Sequence, residues 1–443
     1  MLKRIKILGY KSFAELNLSL KPLSVLVGPN SAGKSNFLDA LQLLSRMATK
    51  PTLKEAFDSP YRGTPLESFN FTGEGVQGHL SQPTLSFSFE VDVHLSDWVV
   101  ESVNAQIREM RSSRSHDASE GSDSASVPSK AKGNYITRRN LRYRLEVEVI
   151  PKSGILRVKD EFLAALNEQG QEVTRPLPFI EKVKNKIHVR MEGQSHPTYH
   201  DRYLDHTIIS RPLYPPHFPH LVAMRQELSS WFIFYFEPRE KMRAATPVKE
   251  VRNIGLMGEE LSSFLNTLQA VDQRQFHAIE KSLHLIIPSI TGLQVSVNTL
   301  GEVELQIKEG AVSVPARVVS EGTLRVLGLL ALGAMKDSPA LIGFEEPENG
   351  VHPRRIQLIA ELLKNMASGG KTQLVVTTHS PILIGMIPDE SLYICKKENG
   401  VTTIEPFETW GPLSRESDVD SALSQDGEGS GTPERILRGD FDA

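Results

Sequence analysis

The sequence predicts an α/β fold, and three observations carry that expectation. A short apolar run, "LSVLV" (23–27), leads straight into the Gly-rich stretch "GPNSAGKS" (28–35). The next segment, "NFLDALQLLSRM", places Phe37, Leu41 and Leu44 at helical spacing. From 313 to 395 strand and helix patterns alternate: an apolar helix, a strand over 340–344, a helix over 354–367 and a strand over 373–378.

The other elements follow in chain order. Residues 3–8 and 15–20 alternate as a hairpin, with Leu16, Leu18 and Leu20 on one face. "SFSFEVDVHL" (86–95) and "LRYRLEVEVI" (141–150) read as strands. Between them, 111–133 is rich in Ser, Gly and charge and reads as a disordered or solvated loop. Residues 196–220 show no periodicity. Two helices follow, one with Leu261, Phe264, Leu265 and Leu268 on a stripe, the other with Phe276, Ile279, Leu283 and Ile286. "LQVSVN" and "EVELQIK" read as a hairpin around Gly301. The chain thus divides into an N-terminal lobe (1–95), a mixed insertion (96–234), a C-terminal lobe (235–410) and an acidic tail (411–443) whose composition does not favour folding.

Composition narrows the functional classes. With 443 residues, 39% of them hydrophobic, the chain holds a large core, as roughly two to three domains or one with an insertion. The formal net charge of −4 excludes a polycation, so a nucleic-acid contact requires a local patch. A single cysteine, Cys395, excludes an internal disulfide and a Cys-rich metal site, and fits a cytoplasmic location. The N-terminus lacks a signal-peptide pattern. The most apolar helix pattern, 323–335, is too short to span a bilayer, so no membrane partner is expected.

Two motifs carry chemistry. "GPNSAGKS" matches G-x-x-x-x-G-K-[ST] in full. In such a loop, backbone N–H groups and the following helix N-terminus face phosphate oxygens. Gly28, Pro29, Asn30, Ser31, Ala32, Gly33, Lys34, Ser35 and Asn36 are therefore the nucleotide-binding candidates. Lys34 would reach the β and γ phosphates, and Ser35 would bind Mg²⁺. The plainer reading, a Gly-rich turn with a surface lysine, is opposed by the strand before it and the helix after it. The second motif is "LIGFEEPENGVHP" (341–353), a strand ending on two glutamates. Phosphoryl transfer to water requires a metal near the phosphates and a base for the attacking water. Glu345 suits the first role and Glu346 the second, although neighbours on a strand need not point the same way. The alternative is a strand capped by two solvated acids.

"GPNSAGKS", "VSEGTLRVLGLLAL", "FEEPENGVHP" and "VVTTHSP", in that order, resemble the ABC-type ATPases of the SMC/RecF class. Within it the chain looks closest to stand-alone ATPases related to the overcoming-lysogenization-defect (OLD) group, and "GYKSF" (9–13) resembles their N-terminal strand. The resemblance covers about 1–95 and 235–400, and implies a P-loop NTPase head using ATP and Mg²⁺. It implies that Ser320, Glu321 and Gly322 form the signature loop that caps the γ-phosphate of a second subunit, hence a homodimer through ATP. It implies that His379 is the switch histidine and that Asn349 to His352 form the loop coupling two subunits. The signature departs from L-S-G-G-Q, and Glu321, an acid, should point away from phosphate. A glutamate at 345 replaces the usual aspartate. Gln77 and Gln82 both compete for the family's metal-and-water glutamine, and Lys11, Ser12 and Asn30 are further lining candidates.

Three weaker patterns remain. His196, His200, His206, His217 and His220 match no zinc module and read as solvated loop histidines. Arg138, Arg139 and Arg142, interleaved with Tyr135 and Tyr143, form either a DNA-contacting patch or the solvated face of a strand. "SDVD" (417–420) reads as a chance match to a nuclease metal motif, so the chain looks like an ATPase half without a toprim nuclease. The expected function is an ATP-driven dimeric switch in DNA maintenance or repair, or in anti-phage defence, with DNA or a separately encoded nuclease or toxin as partner. The alternatives are a nucleotide-binding module with negligible turnover and a transporter ATPase subunit.

Overall fold

The N-terminal hairpin forms as the alternation predicts, Leu2–Tyr10 pairing antiparallel with Phe13–Ser19. The computed structural model describes residues 1–71, 75–117, 135–184, 186–192, 197–201, 203–335 and 339–407. Two packed units interleave along the chain, one from Met1–Leu20, Asp39–Trp231 and Glu398–Thr402, the other from Lys21–Leu38, Phe232–Lys397 and the chain from Thr403. Position 95 marks no break in packing, because Leu85–His94 pairs along its whole length with Asn140–Ile150.

The first unit is built on an eight-stranded sheet. Its order is Phe13–Ser19, Leu2–Tyr10, Leu85–His94, Asn140–Ile150, Ile155–Ala165, Ile180–Val183, Lys186–Arg190 and Pro197–Asp201. Ile5, Ile7, Phe87, Phe89, Val91, Leu141, Tyr143 and Leu145 are buried on one face. The other face carries cross-strand ion pairs in register: Arg4 opposite Asp92, Asp92 opposite Arg142, and Glu90 opposite Arg144. A period of two makes both faces from the same strands.

One expectation fails here. Residues 111–117 are helical, not loop, because a helix runs from Asp97 to Asp117. Val99, Val103 and Ile107 are buried on it at i, i+4 spacing, and that apolar stripe carries the polar last turns with it. Residues 118–133 and the tail lie outside the described residues. The stretch without periodicity contains the strand Pro197–Asp201 and starts the helix Pro219–Ser229. Short strands show too few alternations to read, and Glu161–Ala165 is buried at every position.

The second unit holds the α/β core, and its central sheet is parallel. Its six strands run in the order Trp231–Phe234, Leu341–Glu345, Gln373–Thr378, Leu23–Val27, Leu392–Glu398 and Val401–Pro406. The pairings among the middle four are parallel. Leu23–Val27 and Gln373–Thr378 are buried throughout, as strands covered on both faces must be. The helix Glu321–Gly333 packs into the same core, and Leu261, Phe264, Leu265, Phe276, Ile279, Leu283 and Ile286 join it from the two helices read by periodicity. Gly292–Val297 and Glu302–Glu309 form the hairpin around Gly301, within a smaller antiparallel sheet. Among the described residues no helix is long and apolar enough to cross a membrane.

One buried acid in the first unit makes a testable statement. The Glu161 carboxylate accepts from the Ile208 N–H at 2.6 Å, the Ile209 N–H at 3.3 Å and the Tyr143 hydroxyl at 3.0 Å. Burial outweighs these donors and pushes its pKa from 4.5 up to about 7. Such a group stabilises the fold below its unfolded pKa and loses that contribution as pH rises through its folded pKa. Glu161→Gln, neutral throughout, is expected to gain on the parent in thermal melting between about pH 5 and about pH 8. A difference between the two proteins that stays flat over that range would refute this.

Candidate functional site

The parallel strands bring three chain segments to one edge. Glu345 lies opposite Thr377, and Thr377 lies opposite Leu26, so three strands end at the same level. Ligands of open α/β sheets bind beyond such carboxyl ends. There a cleft of about 320 Å³ is lined by residues 30–36, Glu345, Glu346, Thr377 and Lys397. Asn30, Ser31, Ala32, Gly33, Lys34, Ser35, Asn36, Glu345 and Glu346 thus meet as the motifs predict.

Local geometry shows how. Ser31 (φ 69°) and Gly33 (φ 101°) take left-handed backbone, which turns successive N–H groups toward one point. The helix Lys34–Met47 begins there and adds its positive end. Lys34 is only 7% exposed, and its ammonium donates to the Gly28 carbonyl at 2.7 Å and the Pro29 carbonyl at 2.8 Å. Gly28 and Pro29 therefore enter the site through their carbonyls. Burial lowers the Lys34 pKa from the ordinary lysine value, against the pull of Glu346, Glu345 and Glu348.

Strand alternation would send Glu345 and Glu346 to opposite faces. The chain avoids this by leaving the strand at Glu345 and placing Glu346 at φ 48°. A non-glycine residue there is strained, and such strain concentrates at functional sites. Its N–H is anchored on the Thr377 carbonyl at 2.9 Å. Its carboxylate is held from both sides: His379 Nδ1 lies 2.8 Å from Oε1, and Asn349 Nδ2 donates to Oε2 at 2.5 Å. His379 is 46% exposed, so its ring can meet a ligand. Ser35 and Glu345 offer hydroxyl and carboxylate oxygens in one cleft, the donor type that Mg²⁺ prefers.

The family profile described as "AAA domain, putative AbiEii toxin, Type IV TA system" matches residues 23–385. The chain belongs to this AAA_21 family. The OLD nuclease of Thermus scotoductus is 21% identical over 90% of the chain and 62% of its own length. The chromosome partition protein Smc of Desulfitobacterium hafniense is 37% identical over 20% of the chain, and the chain spans 7% of that relative's length. Among solved structures, the Smc head bound to the C-winged helix domain of ScpA superposes with a TM-score of 0.50 at 14% identity, covering 91% of this chain and 97% of that one. The AAA_21 chain thus has the fold of an Smc head and is similar in sequence to an OLD nuclease.

The expected signature loop spans 320–322. Ser320 caps the helix Glu321–Gly333, its hydroxyl accepting from the Thr323 N–H at 3.2 Å. Glu321 is paired with Arg239 at 2.6 Å, which neutralises the acid at that position. Gly322 packs within its own chain: a Cβ there would stand 2.0 Å from the Gly350 carbonyl oxygen. His352 also has a local role, its Nδ1 accepting from the Arg354 N–H at 3.3 Å.

Several sequence candidates resolve otherwise. Lys11 Nζ is bound by Asp39 at 2.6 Å and the Arg62 carbonyl at 3.1 Å, and Ser12 accepts from Thr402 at 2.7 Å, all within the first unit. Gln77 is exposed on the helix Gly75–Ser81 of that unit. Arg142 is not an open anion contact: it donates to Asp92 at 2.7 and 2.8 Å, and Arg139 pairs with Asp97. His220 is buried rather than solvated, with Nδ1 on Glu192 and Nε2 accepting from the Thr137 and Arg138 N–H groups. Among the described residues no cluster of three His, Cys, Asp or Glu is set to hold a metal. Sequence reasoning missed Lys397, the pairing of Glu346 with Asn349, and the buried Glu348. The Asn349 pairing alone had a signal, its spacing of three from Glu346.

Gly322 separates two explanations. Overpacking against a backbone costs about 1–3 kcal/mol, so Gly322→Ala is expected to lower the melting temperature by about 2 °C or more without any ligand present. Equal melting of parent and variant would return that glycine to a purely ligand-facing role.

Proposed function

We propose that the protein is an ATP-binding and ATP-hydrolysing switch that closes as a homodimer. The observation that carries this reading is Glu346, left-handed in backbone and gripped by His379 and Asn349 at the mouth of the phosphate loop. A carboxylate so held keeps an orientation suited to drawing a proton from an attacking water. Lys34 binds the β and γ phosphates, exchanging its two loop carbonyls for phosphate oxygens. The N–H groups from Asn30 to Asn36 cradle the remaining phosphate oxygens, and His379 approaches the γ-phosphate. Ser35 and Glu345 hold Mg²⁺, which supplies positive charge against the phosphates.

The second copy contributes Ser320, Glu321 and Gly322. None of the three lines the cleft of its own chain, and Ser320 caps a helix N-terminus, which favours an anion. With Arg239 neutralising Glu321, that end carries no net repulsion. The switch acts in DNA maintenance or in defence against phage, through DNA or through a separately encoded nuclease or toxin. The likeness to an OLD nuclease and the description of the family support that setting. The arginines 139 and 142 lend DNA no support, since carboxylates occupy them.

Glu346→Gln is expected to bind ATP as the parent does, to lose about a hundredfold or more in turnover, and to accumulate as a dimer with ATP and Mg²⁺ in sedimentation. Lys34→Ala should lose nucleotide affinity and remain monomeric. Parental turnover in Glu346→Gln would overturn the assignment of the base. Trace turnover in the parent itself, with partners supplied, would favour the nucleotide-binding module. Affinity capture of Glu346→Gln from its host then distinguishes bound DNA from a stoichiometric effector protein.

A further inference from the structure

Two residues beyond Glu346 lies a carboxyl that the proposed reaction does not use. Glu348 is 6% exposed, inside the turn that follows the strand Leu341–Glu345. Its Oε1 accepts from the Thr378 hydroxyl, while its Oε2 is buried with no hydrogen-bond partner among the described residues. Leaving a buried polar atom unbonded costs about 1–3 kcal/mol, so the carboxyl is not there for stability. Burial raises its pKa, and the neighbouring Glu346 adds to the rise.

The other end of the contact explains its presence. Thr378 is fully buried at the end of the strand Gln373–Thr378. Its hydroxyl also accepts from the Ser380 N–H at 3.0 Å. The residue between Thr378 and Ser380 is His379. Ser380 in turn caps the short helix Pro381–Ile384, accepting from the Leu383 N–H at 3.4 Å. One hydroxyl therefore ties the backbone before the histidine to the backbone after it.

We propose that Glu348 is a positioning residue: through Thr378 it fixes the two peptides flanking His379 and thereby sets the 2.8 Å contact of His379 with Glu346. The direction of the hydrogen bonds makes the argument. A threonine hydroxyl has one proton, and Glu348 takes it. Its lone pairs must then face the Ser380 N–H. Without the acceptor at 348 the hydroxyl turns to another acceptor, the Ser380 N–H loses its partner, and the histidine loop is free to shift. Sub-ångström displacement of a group that orients a base is enough to slow turnover. This role rests on the proposed hydrolysis, but the positioning itself is measurable without it.

The test uses the full chain. Thr378→Val keeps the shape and removes the hydroxyl, and Thr378→Ser puts it back. Glu348→Leu removes the acceptor, and Glu348→Gln restores it. Thr378→Val and Glu348→Leu are expected to lower kcat about tenfold or more with KM changed less than about twofold, and the Ser and Gln variants to recover most of it. Independently, the His379 ring signals, identified in NMR spectra by their loss in His379→Gln, should shift in Thr378→Val and return in Thr378→Ser. If Glu348→Leu fails to fold, the threonine pair alone decides. Unshifted ring signals in Thr378→Val overturn the positioning role, whatever the turnover. Shifted signals in a protein whose parent does not hydrolyse ATP uphold it and refute the hydrolytic reading instead.

Discussion

The registration of three parallel strands is the constraint on which the site depends. Leu341–Glu345, Gln373–Thr378 and Leu23–Val27 lie side by side with Glu345, Thr377 and Leu26 in one row. A slip of one residue in any strand would turn its side chains to the other face. The two inner strands are buried on both faces, so a slip would exchange the side chains packed on each face, and close packing there resists it. The phosphate loop, the paired glutamates and the histidine loop leave the sheet at one level because the apolar strands behind them cannot move.

Polar groups at the edge of such a core must be paired or pay for their burial, and the second unit shows both. Lys34 is satisfied by two carbonyls of its own loop, so the loop is closed around its lysine before any phosphate arrives. Glu346 is satisfied by a histidine and an asparagine. Glu348 is only half satisfied and retains a buried, unbonded oxygen. These differences sort the two acids by what they do: Glu346 is oriented in the cleft, and Glu348 holds its neighbour in place.

The first unit spends its charge differently. Its sheet carries a ladder in which Arg4 and Arg142 share Asp92, while Arg144 reaches Asp160 at 3.1 Å. Cross-strand pairs of opposite charge stabilise a sheet modestly and leave few free donors for an external anion. A basic run in sequence and a basic surface in space are different things, because only the strand register says which carboxylates lie opposite.

By itself the sequence determined the α/β core, the phosphate loop, the paired glutamates and the helices of the second unit. Long apolar strands and amphipathic helices write their period into the chain, and a full phosphate-loop motif fixes its own turn and helix. The hairpin around Gly301 was legible for the same reason. Tertiary structure alone decided the rest. The eight-stranded sheet hid its short strands, whose few residues show no period even though they pair with near neighbours in the chain. The helix over 111–117 follows from an apolar stripe upstream, invisible to local composition. That Gly322 is also required by the close approach of Gly350 shows only in the structure. Glu346 shares a cleft with Glu345 only through a left-handed turn that no alternation rule supplies. At Gly322 and Glu346 contacts with residues distant in sequence overrode the local pattern, and local pattern is all that a sequence displays directly.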